Sequence, residues 1–193
     1  MSAVVMTKRI AGASSHFKAR MAGALFLVLL LTAAFTEFFA RGRLSSAAEL
    51  AAAVIEVLCM VAVTLLFYDI FSSVDRRLSW LAMFLNFGAL ALELFQFLPH
   101  GVNIGLGFHG CYWILIGYLI FRSTFLPRIL GALTAIAGLC WLTFLSVPFA
   151  NYFSPYNLAL ALLMEGAVFL WLLVMGLNFP AREEVVSSLA KSA

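Results

Sequence analysis

Acidic side chains within long apolar runs are the residues of this sequence that could do chemistry. Four glutamates and one histidine interrupt stretches that are otherwise mostly hydrophobic: Glu37, Glu56, Glu93, His109 and Glu165. An isolated ionised carboxylate in hydrocarbon is costly, so such residues are expected to share protons, hold a metal, bind water or pair with one another. Where carboxyl groups crowd together, at least one is expected to keep its proton, and an acid beside a base is what proton-transfer chemistry requires.

The depth of each residue in its run predicts its role. Glu56 and Glu165 lie deepest and are predicted to be the catalytic acid and base. Glu37, Glu93 and His109 are predicted to orient them or to hold a metal. His109, Glu56 and Glu165 also form a possible metal site. A set of oxygen ligands with one imidazole suits zinc, manganese or iron.

Neighbouring polar and aromatic residues share helical faces with these groups and are predicted to contact a substrate. Asn86 lies seven residues before Glu93, and Tyr112 and Trp113 lie three and four residues after His109. At these spacings, side chains lie on one side of a helix.

Each candidate also has a purely structural interpretation. Glu37 could pair with Arg41 one helical turn later, Glu93 could bond to a nearby amide, and His109 could be a hydrogen-bonded histidine of a helix bundle. Their clustering at one depth is stronger evidence for a site than any single residue.

The elements that position these residues follow from composition. Of 193 residues, 64% are hydrophobic and 11% charged, whereas soluble domains have about 25% charged residues. Six apolar runs have roughly the twenty residues needed to cross a bilayer, and backbone groups in lipid must be satisfied internally, so each run is predicted to be a helix. The sequence thus predicts an all-α bundle of six transmembrane helices at 20–40, 47–71, 78–98, 104–121, 128–149 and 156–178.

The distribution of lysine and arginine predicts the orientation of the bundle. With the N-terminus inside, ten of the twelve basic residues fall on the cytoplasmic side, and only Arg41 and Arg43 fall outside. This bias indicates a multi-pass protein of the inner (cytoplasmic) membrane with both termini in the cytoplasm. The predicted organisation is a basic N-terminal segment (1–19), the transmembrane domain (20–178) and a cytoplasmic tail (179–193).

Several familiar cofactors are excluded. A retinal Schiff base needs an intramembrane lysine, but the lysines are Lys8, Lys18 and Lys191. A bis-histidine haem needs a second intramembrane histidine beside His109. The GxGxxG pattern at 105–110 opens a membrane helix rather than following a strand, so it indicates close helix packing and not nucleotide binding. No basic, aromatic-interleaved surface for nucleic acid is present.

Three stretches resemble an uncharacterised bacterial membrane family, domain of unknown function 4386. They cover 19–27 with 37–44, 117–123 with 125–131 preceded by His109, and 165–176. The resemblance implies a six-helix bacterial membrane protein and motif positions at Glu37, His109, Arg122, Arg128 and Glu165. It implies no activity. The short connection between helices 3 and 4 and the basic segment before helix 1 depart from the family pattern.

Three functions fit these observations. The first is a protein that binds or converts a lipophilic small molecule in the outer half of the bundle, by acid/base or metal-assisted chemistry. The second is a proton- or ion-coupled transporter, which needs a polar route through the inner half, where the sequence offers few polar residues. The third is a membrane subunit or scaffold whose acids hold helices together. Membrane lipids and a lipophilic molecule or ion are the expected partners, and the oligomeric state is left open.

Overall fold

The computed structural model of the chain describes residues 3–35, 46–95 and 104–177. Within these ranges the chain is helical and has no strand, which confirms the all-α prediction. A 3-10 helix, Thr143–Leu145, follows the fifth helix. The α-helices are α1 (Ala3–Phe35), α2 (Ser46–Phe71), α3 (Arg76–Phe95), α4 (Ile104–Arg122), α5 (Arg128–Leu142), α6 (Val147–Phe153) and α7 (Tyr156–Met175).

Five helical stretches of the described chain are long and apolar enough to cross a membrane: His16–Ala33, Leu50–Phe71, Ile104–Arg122, Arg128–Leu145 and Tyr156–Met175. α3 is also 20 residues long, but it begins with Arg76 and Arg77 and carries Glu93 near its end. The protein is therefore an integral membrane protein built from transmembrane helices.

Within the described residues, two helix boundaries differ most from the sequence prediction. α1 already begins at Ala3, so the helix runs through most of the predicted N-terminal segment. α5 ends at Leu142, and the predicted connection before the last span contains the short helix α6, with Pro148 in its first turn. Pro148 has no N–H to donate to the carbonyl of Phe144, so one continuous helix cannot run through this point. The predicted tail, 179–193, lies outside the described residues.

The six long helices form a closed ring. Each packs against its neighbour in the chain, α5 packs against α7, and α7 returns to α1. The contact between α2 and α3 is the least extensive in this ring. The short helix α6 lies outside the ring and touches the 3-10 helix and α7.

α4 and α5 approach each other through glycines. A Cβ atom on Gly110 would lie 2.7 Å from the carbonyl oxygen of Gly138, and one on Gly117 would lie 2.7 Å from that of Gly131. The glycines are seven residues apart on each helix, so they form two matched contacts between antiparallel helices. The prediction of close packing from the glycine pattern is thus confirmed at Gly110, which meets α5, and at Gly107, which meets the side chain of Leu145.

Four aromatic side chains from four helices, Phe26, Phe67, Trp113 and Phe169, form an aromatic layer across the ring. Phe169 stacks on Phe26 and Phe67, with ring centroids 3.6 and 5.4 Å apart. Trp113 meets all three edge-on, at 5.8 to 6.4 Å. All four are at most 3% exposed, so the layer closes the centre of the bundle.

Ion pairs join the helices at one end of the bundle. Lys18 of α1 pairs with Asp69 of α2 at 2.5 Å, and Arg122 of α4 pairs with Asp75 at 3.3 Å. Asp75 also accepts hydrogen bonds from two backbone N–H groups in the first turn of α3, which caps that helix. Glu56, His109 and Glu165 lie on the other side of the aromatic layer, toward the opposite end of the bundle.

Candidate functional site

A cavity of about 480 Å³ lies inside the helix ring. Of the described residues, four ionisable ones line it, namely Glu56 of α2, Glu93 of α3, His109 of α4 and Glu165 of α7, together with Trp141 of α5. The other lining residues in this part of the chain are apolar: Phe26, Leu29, Leu30, Ala33, Ala53, Val57, Met60, Leu90, Leu106 and Leu162. The lining comes from the C-terminal parts of α1, α3 and α5 and the N-terminal parts of α2, α4 and α7, as alternating helix directions require.

Glu165 is the most deeply buried acid of this cavity, at 2% exposure. It shares one buried stripe of α7 with Asn157, Ala161 and Phe169, at steps of four residues. The indole N–H of Trp141 donates a hydrogen bond to its Oε1. Among the described residues, no partner is shown for Oε2. One carboxyl oxygen is therefore fixed by α5, and the other is available to a molecule in the cavity.

Glu56 and Glu93 line the same cavity from two neighbouring helices. Glu56 is half-buried and Glu93 is exposed near the C-terminal end of α3. They belong to α2 and α3, the two ring neighbours whose contact is the least extensive. Glu37, the remaining predicted acid, lies outside the described residues.

His109 has a partner at each ring nitrogen. Nε2 lies 2.8 Å from the indole nitrogen of Trp113, and Nδ1 lies 2.9 Å from Oδ1 of Asn86. An indole N–H can only donate, so Nε2 accepts that bond and Nδ1–H donates to Asn86. This arrangement fixes a neutral imidazole and its tautomer.

The hydrogen bonds continue from His109 across three helices. Asn86 of α3 donates through Nδ2 to the hydroxyl of Thr64 on α2 at 2.6 Å, and Thr64 donates to the carbonyl of Met60 at 2.7 Å. Asn86 and Thr64 are at most 1% exposed. The chain of bonds therefore ties α2, α3 and α4 together behind the cavity wall.

The residues predicted to contact a substrate lie behind the cavity instead of lining it. Asn86 and Trp113 are both 0% exposed and hold His109, and Trp113 belongs to the aromatic layer. Tyr112 is 1% exposed, and its hydroxyl has no hydrogen-bond partner among the described residues. These three positions support the wall, and the cavity surface is formed by other side chains.

No group of three histidine, cysteine or acidic side chains within the described parts of the chain is placed to hold a metal ion. His109 has both nitrogens engaged, so it could bind a metal only by giving up the bond to Trp113 or the bond to Asn86. The set of His109, Glu56 and Glu165 as metal ligands stays a prediction.

Trp141 is the cavity residue that the sequence reasoning missed. A signal was present, because a tryptophan N–H inside a membrane helix needs an acceptor. The acids Glu56, Glu93 and Glu165 are the acceptors available at that depth. Sequence spacing within α5 could not show which of them the indole meets, because that depends on how α5 packs against α7.

Comparison with known proteins adds one relationship. No curated protein and no solved structure matches the chain. A family model matches residues 88–176, which run from the second half of α3 to the end of α7 and include His109, Trp141 and Glu165. The first of the three resembling stretches, 19–27 with 37–44, lies outside this match. Over residues 88–176 the chain matches the family described as Domain of unknown function (DUF4386), which confirms the resemblance found in the sequence.

Proposed function

We propose that this protein binds a lipophilic small molecule inside its transmembrane domain. One observation carries the proposal: Glu56, Glu93, His109 and Glu165, from four helices, line one cavity of about 480 Å³ whose other walls are mainly apolar. Ligand-binding cavities of about 300 to 1,000 Å³ typically combine apolar walls with a few convergent polar groups. A purely structural role for the acids would not require them to share a cavity.

The proposal assigns different roles to the residues around the cavity. Glu56 and Glu165 are the groups that meet the polar part of the ligand and can exchange a proton with it. His109 is a positioning residue, since both nitrogens serve the wall of the cavity. The main proposal is that the protein binds the ligand. A more specific version is that it also converts the ligand by acid/base chemistry.

Entry from the lipid is favoured over passage through the bundle. Glu56 and Glu93 line the cavity from α2 and α3, the two neighbouring helices whose contact is the least extensive in the ring. On the opposite side, the aromatic layer separates the cavity from the charged end of the bundle. A pocket open to one leaflet and closed below fits a binding site better than a transport path.

The membrane placement is part of the proposal. α3 is taken as the sixth span, and both termini lie in the cytoplasm of a bacterial cell, with the cavity in the outer half of the inner membrane. The ion pairs of Lys18 and Arg122 lie at the end away from the cavity, in agreement with the positive-inside rule.

Cysteine labelling tests this orientation. After replacement of Cys59, Cys111 and Cys140 by alanine, an impermeant maleimide applied to intact spheroplasts should label Gly42→Cys and leave Ser187→Cys unlabelled until the cells are lysed. Labelling of Ser187→Cys in intact cells would contradict the cytoplasmic C-terminus.

Quenching of tryptophan fluorescence tests binding. Trp80→Phe and Trp171→Phe together leave Trp113 and Trp141, one behind the cavity wall and one in it. The probe is a neutral ω-bromoalkyl compound with a tert-butyl head, added to the variant in lipid nanodiscs. Its partition into lipid should quench the tryptophan fluorescence linearly with concentration. Binding in the cavity should add a saturable phase to this linear quenching.

A blocked cavity provides the matched control. Ala53→Phe fills a lining position and should weaken the saturable phase about tenfold, a change of about 1.4 kcal/mol. Ala51→Phe, on the same helix but not in the lining, should leave it unchanged. Equal quenching in both variants, or no saturable phase at all, would overturn the proposal.

A further inference from the structure

We propose that the ligand of this cavity is a lipophilic organic cation, whose charged head lies beside Glu165 and whose apolar part contacts the apolar walls. The inference rests on the proposed function and names the chemical class of its ligand.

The charge of the lining is one-sided. Of the described residues that line the cavity, three carry a carboxyl group and none is a lysine or an arginine. The fourth ionisable group, His109, is a neutral imidazole, because Nε2 accepts the indole N–H of Trp113. On α4 the nearest basic residue is Arg122, thirteen residues from His109 and therefore about 20 Å along the helix. Among the lining residues that the structure describes, an anionic head group would meet only like charge or neutral groups.

Glu165 provides an independent indication of a ligand. Glu165 is 2% exposed, yet in the described chain only its Oε1 has a hydrogen-bond partner, Trp141. A buried carboxylate with an unused oxygen is costly unless a proton or a cation occupies that oxygen. A positively charged head beside Oε2 would satisfy this group.

The aromatic walls suit the same ligand. Phe26 and Trp141 line the cavity, and the face of an aromatic ring attracts an organic ammonium ion. The aliphatic walls, including Leu29, Leu30 and Leu162, provide contact for hydrocarbon. The cavity therefore offers each part of an amphiphilic cation a matching surface.

Protons and the cation compete for the same carboxyl groups. When the cation binds, a proton held by these groups in the empty cavity leaves to water, and the total charge of the site changes little. Affinity for a permanently charged cation should consequently increase as the pH is raised. The affinity of a neutral ligand of the same shape should depend much less on pH.

Three ω-bromoalkyl probes of equal chain length test the inference, with trimethylammonium, tert-butyl and sulfonate heads. The first two heads have nearly the same shape and differ in charge. In the quenching assay, the trimethylammonium probe should bind at least about tenfold more tightly than the tert-butyl probe, and the sulfonate probe should show no saturable phase.

Variants separate charge from shape. Glu165→Gln should lower affinity for the trimethylammonium probe about tenfold and leave the tert-butyl probe nearly unaffected, which also shows that the variant is folded. Asp69→Asn, which removes a carboxylate at the far end of the bundle, should change neither.

The outcomes distinguish the two proposals. Equal binding of the trimethylammonium and tert-butyl probes, or tighter binding of the sulfonate probe, overturns the cation inference and leaves the proposed function standing. Failure of all three probes to bind saturably overturns both.

Discussion

The indole N–H of Trp141 on α5 donates a hydrogen bond to Oε1 of Glu165 on α7, and both side chains are at least nine-tenths buried. This contact joins two helices that are neighbours in the ring but are separated in sequence by the 3-10 helix and α6. It also fixes the direction of the carboxyl group that lies deepest in the cavity.

Removing the donor should destabilise the protein. Trp141→Phe keeps an aromatic ring but leaves a buried carboxyl oxygen without its partner, which typically costs about 1 to 3 kcal/mol. The free energy of unfolding, measured by denaturant titration in mixed micelles, should fall by this amount.

Trp80 gives the matched control, because it is 39% exposed and Trp80→Phe should change stability little. In the double variant Trp141→Phe with Glu165→Leu, the loss should be smaller than the sum of the single losses, since the unpaired carboxyl is gone. Strict additivity would contradict a direct hydrogen bond.

The tautomer of His109 is a second prediction. Because Nε2 accepts the indole N–H of Trp113, the ring proton must lie on Nδ1. Nitrogen NMR of histidine-labelled protein, with His16→Gln and His100→Gln to leave one signal pair, should show a protonated Nδ1 and an unprotonated Nε2.

Trp113→Phe should release this constraint and allow both tautomers to appear, while Trp171→Phe should leave the spectrum unchanged. A signal from protonated Nε2 in the protein with Trp113 intact would contradict the hydrogen-bond arrangement.

Much of this fold follows from the sequence because lipid imposes a simple rule on it. Long apolar runs must be helices, and breakers such as Pro127 mark their ends, so α5 begins at Arg128 as predicted. The break after Leu142 was harder to place. The run stays mainly apolar to Phe149, and the missing N–H of Pro148 is the signal that the helix has to restart.

The sequence predicts how far along their helices the site residues lie, but not which way their side chains face. The positions of Glu56, Glu93, His109 and Glu165 along their helices place them at one level, and the structure shows them around one cavity. Which neighbours face the cavity depends on packing between helices. Tyr112, one helical turn from His109, is buried behind the wall, because α4 turns that face toward Thr64 and the aromatic layer.

The glycine contacts between α4 and α5 lead to a third prediction. Gly138→Ala would place its Cβ 2.6 Å from the carbonyl oxygen of Gly110, so the helices must move apart. Overpacking of this kind typically costs about 1 to 3 kcal/mol, which unfolding in mixed micelles should show.

Gly166→Ala is the control, because its Cβ would meet nothing closer than Leu30 at 3.9 Å, and alanine favours a helix over glycine. It should leave stability unchanged or slightly raised. An equal loss in both variants would mean that the close approach of α4 and α5 is not what Gly138 provides.

A fourth prediction concerns metal. Since both nitrogens of His109 are engaged, binding of the trimethylammonium probe should not depend on a metal ion. Dialysis against a chelator should leave its affinity unchanged, and addition of zinc or manganese should not increase it. Loss of binding that zinc or manganese restores would instead support the metal site predicted from the sequence.

The position of a bound ligand tests the central claim most directly. Crystals grown with the ω-bromoalkyl trimethylammonium probe, recorded at the bromine absorption edge, give the bromine position independently of any interpretation of the ligand density. We expect an anomalous peak inside the cavity, among its apolar walls, with the ammonium head beside Glu165. Bromine found only on the lipid-facing surface, with the cavity unchanged, would contradict the account.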